Sequence, residues 1–284
     1  MVNAFQTARK RFCLLPLLGL VVLLGSGCLE NAMLVKVNPD GSGDITYRLF
    51  LSAPLLDALA AQAEAGEADE TEARRALFGQ MIEGIGPQLG EDLTLARESL
   101  STNARGWHGF EAVYAFDSIA DVRLDNISPL GDPADDETPG AASIGGRYTF
   151  GFEPGDPATL ELIPIPDEPF GYPHDLDPTG PEDWHSLLGA ELSEELFRFL
   201  EGLRITIYLA VNGEVVESNA SFVSARVPNV FTLIDLPFDR LAARPDALHV
   251  VRQTGPDIAA ILAELAVPEV RIEEPGKTIR VQFR

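Results

Sequence analysis

Cysteine is nearly absent: the 284-residue chain has two, Cys13 and Cys28. Both lie close to the N-terminus, so the bulk of the chain holds no disulfide, no reactive thiol and no thiolate metal site. Positive charge is scarce as well. Lys and Arg number 21 against 44 Asp and Glu, for a formal net charge of −23. A surface of that sign repels a phosphate backbone, and no local basic patch offsets it, which excludes nucleic acid as a partner. Long apolar runs are missing too. The longest, Leu14–Leu24 with Pro16 inside it, is about half of the roughly 20 residues that a bilayer-spanning helix requires. No serine stands in a Gly-x-Ser-x-Gly elbow and no His-Glu-x-x-His occurs, so these two hydrolase signatures are lacking. What remains is an ordinary globular composition, 45% hydrophobic and 23% charged, which excludes wholesale disorder.

The N-terminus carries the clearest positive signal. Arg9, Lys10 and Arg11 precede the short apolar run, and the first 27 residues contain no acidic group. Gly25-Ser26-Gly27 then leads to Cys28. A basic stretch, a short apolar core and small residues describe an export signal. Small residues before a cysteine resemble the lipobox of bacterial lipoproteins, in which the signal is cut before the cysteine and its thiol receives a diacylglycerol. Gly25 stands where the strict pattern prefers leucine. An uncleaved signal anchor and a standard signal peptide are the competing readings, and the shortness of the run speaks against the first. The expectation is therefore that residues 1–27 are removed, that Cys28 is lipidated, and that the acyl chains hold the protein to a membrane. Leu29 follows the cysteine, which by resemblance places the protein on the periplasmic face of the outer membrane.

Beyond the anchor, period-two alternation dominates. Met33, Val35 and Val37 alternate with Leu34, Lys36 and Asn38; the turn Pro39–Gly43 follows; Ile45, Tyr47, Leu49 and Leu51 resume the pattern. Ser52 and Pro54 predict a helix start, and Leu77, Phe78, Met81, Ile82 and Ile85 predict a second helix. Further strands are predicted around Leu93 and Leu95, at Phe110–Phe116, at Tyr148–Phe152 and at Leu160–Leu162, with a surface loop at 126–145. A helix is predicted over 182–201, then strands at 205–211, 230–236, 247–252, 270–272 and 279–283, with a helix bearing Ile258, Ile261, Leu262 and Leu265. The organisation is thus an N-terminal half at 28–165, a proline-rich acidic linker at 166–181 and a C-terminal half at 182–284, two halves compatible with one domain. Hairpins with inserted helices predict an α+β fold, antiparallel β-hairpins and sheet packed with helices, rather than a doubly wound one.

Several segments together carry a family likeness. They are the lipobox, the hairpin with Asp40-Gly41-Ser42-Gly43, the segment Gly106 through Phe116-Asp117-Ser118-Ile119-Ala120-Asp121, and Gly213-Glu214-Val215-Val216-Glu217-Ser218-Asn219-Ala220. The chain resembles the LppM-like or DUF3153-like bacterial lipoproteins over most of residues 28–240. Asn212 replaces a proline usual before the later motif, and the C-terminal membrane helix of some relatives is missing. The likeness implies an α+β envelope domain of unknown biochemical role and assigns no catalytic residue.

Chemistry-bearing clusters are few. Asp40, Ser42 and Asp44 match the first ligand positions of a calcium loop, but Ile45 and Leu51 occupy places that require Gly and Glu. Asp167, Glu168, His174, Asp175, Asp177, Glu182, Asp183 and His185 gather carboxylates and imidazoles within one linker. They have no fixed ligand spacing, and acidic linkers are solvated as a rule. His108 and His249 fall in strand patterns; Trp107, Trp184, Phe170 and Tyr172 are candidates for a ligand groove or for lipid headgroups. The reading that follows is a non-catalytic, lipid-anchored binding domain without cofactor or metal. Its partner is an envelope protein or an apolar ligand, met in a groove between the sheet and the 53–85 helices. The alternative is a metal-dependent hydrolase built on the 167–185 cluster.

Overall fold

A computed structural model describes residues 29–62, 70–90, 92–124, 147–165, 202–244, 246, 249–250, 264, 267–274 and 276–284. The elements in chain order are β1 (Leu29–Val37), β2 (Gly43–Leu51), α1 (Ala53–Gln62), α2 (Glu70–Leu89), β3 (Thr94–Thr102) and β4 (His108–Phe116). A 3-10 turn (Ile119–Asp121) leads to β5 (Arg123–Leu124), β6 (Arg147–Glu153) and β7 (Ala158–Ile165). Then come β8 (Arg204–Val211), β9 (Val215–Ser218), β10 (Val230–Pro237), α3 (Phe238–Ala242), β11 (Arg271–Ile272) and β12 (Ile279–Phe283).

The strands form two sheets. One has seven strands in the order β11-β10-β8-β1-β2-β4-β3; the other has five, in the order β5-β6-β7-β12-β9. Each sheet draws strands from both sides of residue 166. The fold is mostly sheet with some helices, broadly the α+β class predicted, with one departure. At the centre of the large sheet β1 pairs with β8 in parallel, from Glu30↔Arg204 to Val37↔Val211. Local alternation reveals hairpins but contains no information about a partner some 170 residues away, so a parallel pair is invisible to it.

The alternation predicted for the hairpins is realised as burial. Val35, Val37, Ile45, Tyr47, Leu49 and Leu51 are fully buried, as are Phe110 and Ala112, with Tyr114 and Phe116 nearly so. The two early helices lie on this face. Leu55, Leu56, Phe78, Ile82, Ile85 and Leu89 are each 3% exposed or less, each such side chain contributing about 1.5–3 kcal/mol. Phe78 meets Phe110 edge-on at 5.8 Å, and the Tyr114 hydroxyl donates to the Ile82 carbonyl at 2.6 Å. These helix and sheet side chains belong to one buried cluster.

The helix start predicted at Ser52 and Pro54 is met: Ser52 stands before α1 and its carbonyl accepts from Leu56 N at 3.0 Å, although its hydroxyl is buried without a protein partner. Two other local expectations are corrected. Leu93 precedes β3, and every residue of β3 is exposed, because an edge strand has no layer over it. Residues 249–250 are helical rather than a strand: Val250 N donates to Asp246 O at 3.0 Å, a helical i→i−4 bond that a short run of alternation cannot foretell. The predicted helix at 182–201, the loop at 126–145, Ile258, Ile261, Leu262 and Leu265 lie outside the described residues.

Candidate functional site

Two ends of the large sheet concentrate the residues singled out by sequence. β1 begins at Leu29, the residue after Cys28. Leu29 pairs with Leu51, Leu51 with His108, and His108 with Thr102, so four strands end in one row there. Beyond the row the β3–β4 turn is cross-braced. Asn103 Oδ1 accepts from Arg105 N at 2.9 Å and from Trp107 N at 3.0 Å, and Gly106 has φ +78°. Trp107 is half-buried with the Arg105 guanidinium 5.0 Å above its ring. His108 opens β4, its Nδ1 3.4 Å from Thr102 Oγ1.

The opposite end gathers the motif segments. Asp40 Oδ1 accepts from the Ser42 hydroxyl at 2.7 Å and from Ser42 N at 3.0 Å, bonds that hold its carboxyl below the usual carboxylate range. Gly41 has φ +87°, and a Cβ there would fall 2.8 Å from the Phe152 ring of the second sheet. Its carbonyl accepts from Ile119 N at 2.9 Å. Asn38 donates to Ser42 Oγ at 3.0 Å and accepts from Asn212 Nδ2 at 3.0 Å. The hairpin tip is therefore a joint between the 118–121 turn, the 212–214 turn and the small sheet. Its oxygens are turned onto their own loop, and Ile45 and Leu51 are core residues rather than ligands.

The later motif is structural in the same sense. Asn219 Oδ1 accepts from Arg280 N at 2.7 Å and its Nδ2 donates to Thr278 O at 3.0 Å, which extends the β9–β12 pairing by side chain. Next to it lies a residue that sequence reasoning missed. Glu273, 1% exposed, accepts from Ser221 N at 2.6 Å and from Phe222 N at 3.1 Å, and Lys277 Nζ lies 3.5 Å away. Lys277 also donates to Ser221 Oγ at 2.9 Å. An ammonium ion-paired with Glu273 acts as a donor to that hydroxyl, so the trio is a clamp on the 221–222 backbone. The Glu273/Lys277 spacing of four was its only trace in the sequence.

The exposed edge is the third feature. A bulge between Leu95 and Arg97 puts Leu95 opposite Tyr114 and Leu100 opposite Phe110, on the helix-bearing face. Leu95 is 42% and Leu100 48% exposed. On the other face, Glu111 accepts from Arg48 Nε at 2.6 Å and from Arg97 at 2.8 Å. The bond from Arg48 holds its carboxyl below the ordinary range against the desolvation that opposes it.

Cys28 and the 167–185 cluster, with Trp184, Phe170 and Tyr172, lie outside the described residues. Among the described residues, no three His, Cys, Asp or Glu side chains are grouped to hold a metal ion, and no helix is long and apolar enough to cross a membrane. No family model and no curated protein matches the chain. Among solved structures the chain is similar to the NMR structure of the folded domain of LppM from Mycobacterium tuberculosis. The identity is 12%, 91% of each chain is covered, and the TM-score is 0.30.

Proposed function

We propose that this chain is an envelope lipoprotein, tethered through lipidated Cys28 at the periplasmic face of the outer membrane, whose folded region is a non-catalytic interaction domain. The observation that carries this reading is the absence of any spacer between Cys28 and the sheet: β1 starts at Leu29 and is flanked by partners on both sides. A lipid on residue 28 would hold such a domain directly on the bilayer, as an anchored module rather than one on a long tether. The exposed pair Leu95 and Leu100 supports a protein partner, to which it offers apolar contact. Mass spectrometry of the N-terminal peptide from the membrane fraction tests the reading. A diacylglycerol-modified residue 28 supports it; an unmodified thiol, or a chain cut elsewhere, overturns it.

A further inference from the structure

We propose that the β3–β4 turn, Asn103–Trp107, is a second, protein-borne contact with the bilayer surface, beside the lipid on Cys28. The proposal rests on the lipid-anchor reading and adds an orientation to it. Residue 28 is one step beyond the row Leu29–Leu51–His108–Thr102, and Trp107 is one step beyond the same row on β4. β4 is two strands from β1, a lateral distance of about 10 Å. Both therefore leave the sheet at the same end, and one extended residue reaches only about 3.5 Å, so the acylated cysteine keeps that end at the headgroups.

The turn is also built toward β1. Asn103 Nδ2 donates to Glu30 Oε2 at 3.2 Å, and Arg105 donates to Gly202 O, ahead of β8, at 3.5 Å. It thus runs past the end of the strand from which the lipid would emerge, held in one shape by the Asn103 bonds. What it presents is chemistry suited to an interface: an exposed guanidinium stacked over an indole that is apolar in body and polar at its N–H. Ala53, Pro54 and Ala104, all exposed at this end, add no charge.

The net charge, −26 once residues 1–27 with their three basic groups are removed, does not oppose this contact. Screening limits each charge to about 8 Å at physiological salt, whereas the acidic turn at Asp40 is a nine-residue strand away, roughly 30 Å. Of the acidic groups at the anchor end, Glu30 is engaged by Asn103, Asp235 by Arg204 at 3.2 Å and Asp57 by Arg74 at 2.8 Å, while Asp239 stands in the first turn of α3.

Once Cys28 is acylated the protein has no other thiol, so a single introduced cysteine reports without further changes. The full-length lipoprotein carrying Ala104→Cys or Asp117→Cys is spin-labelled and reconstituted into phosphatidylethanolamine–phosphatidylglycerol vesicles. Collision with a water-soluble nickel chelate is compared with collision with oxygen. The label at 104 is expected to be shielded from the chelate and open to oxygen, the label at 117 the reverse. Arg105→Gln should shift the balance at 104 toward the chelate about fivefold, the factor that one cation near an anionic surface contributes. Vesicle-bound protein whose label at 104 is as open to the chelate as that at 117 overturns the proposal while leaving the anchor intact. Protein that does not float with the vesicles overturns the anchor, and the orientation with it.

Discussion

Glu273 shows how one buried charge holds a non-repeating segment in place. Its carboxylate takes two backbone N–H groups of the 221–222 stretch and faces Lys277. Replacing it with alanine leaves two donors and an ammonium uncompensated, so Glu273→Ala is expected to cost about 3 kcal/mol. Glu273→Gln, which keeps an acceptor oxygen, should cost markedly less. Urea unfolding at unchanged slope measures both; equal losses would show that charge rather than acceptance matters. The tyrosines set the alkaline limit. Burial pushes the Tyr47 and Tyr114 phenols well above their ordinary value. The folded state thus keeps protons that the unfolded chain releases near pH 10, so this contribution is whole below that pH and is lost as pH rises beyond it. Thermal melts from pH 8 to 11 should fall above pH 10, and less steeply in Tyr114→Phe. Gly41 is held by φ +87° and by Phe152 together, so Gly41→Ala is strained on both counts, a loss of about 1–2 kcal/mol by the same unfolding measurement.

Elements differ in what they contribute. Helix α2 is a core layer: Phe78 is 3% exposed and edge-on to Phe110, so Phe78→Ala should cost about 3–5 kcal/mol. Strand β3 is the contrary case, exposed along its whole length at the sheet edge. Leu95→Glu with Leu100→Glu should leave the unfolding midpoint nearly unchanged, as urea unfolding would measure; a large stability loss would make the two leucines core residues instead. The bulge at 95–97 and the charges of Arg97 and Glu98 discourage unwanted strand pairing at this edge. The strand signal at Leu93 and Leu95 was legible, but its depth was not. Alternation reports two faces without saying whether a layer lies over either. The Asp40–Gly43 turn, by contrast, was readable from its own residues, since the bonds of Asp40, Asn38 and Ser42 that shape it span four positions at most, whereas its bond to Ile119 was not.

At the scale of the molecule, β12 joins what the chain keeps far apart: it lies between β7 and β9, with Glu214 and Arg284 exchanging backbone hydrogen bonds at its end. Truncation after Thr278 removes Ile279, Val281 and Phe283, all essentially buried, and should abolish cooperative unfolding of the small sheet as followed by near-ultraviolet circular dichroism. Sequence alone determined the elements whose forces are local: the hairpins with their inward residues and the faces of the two early helices. Tertiary structure alone decided the parallel β1–β8 pair, the assignment of β11 and β12 to different sheets, the Glu273 clamp, and the row that brings Trp107 to the same sheet end as Leu29. Those depend on register between strands distant in the chain. Register is settled by the simultaneous packing of both sheets and by satisfaction of buried hydrogen bonds, which no window of neighbouring residues encodes.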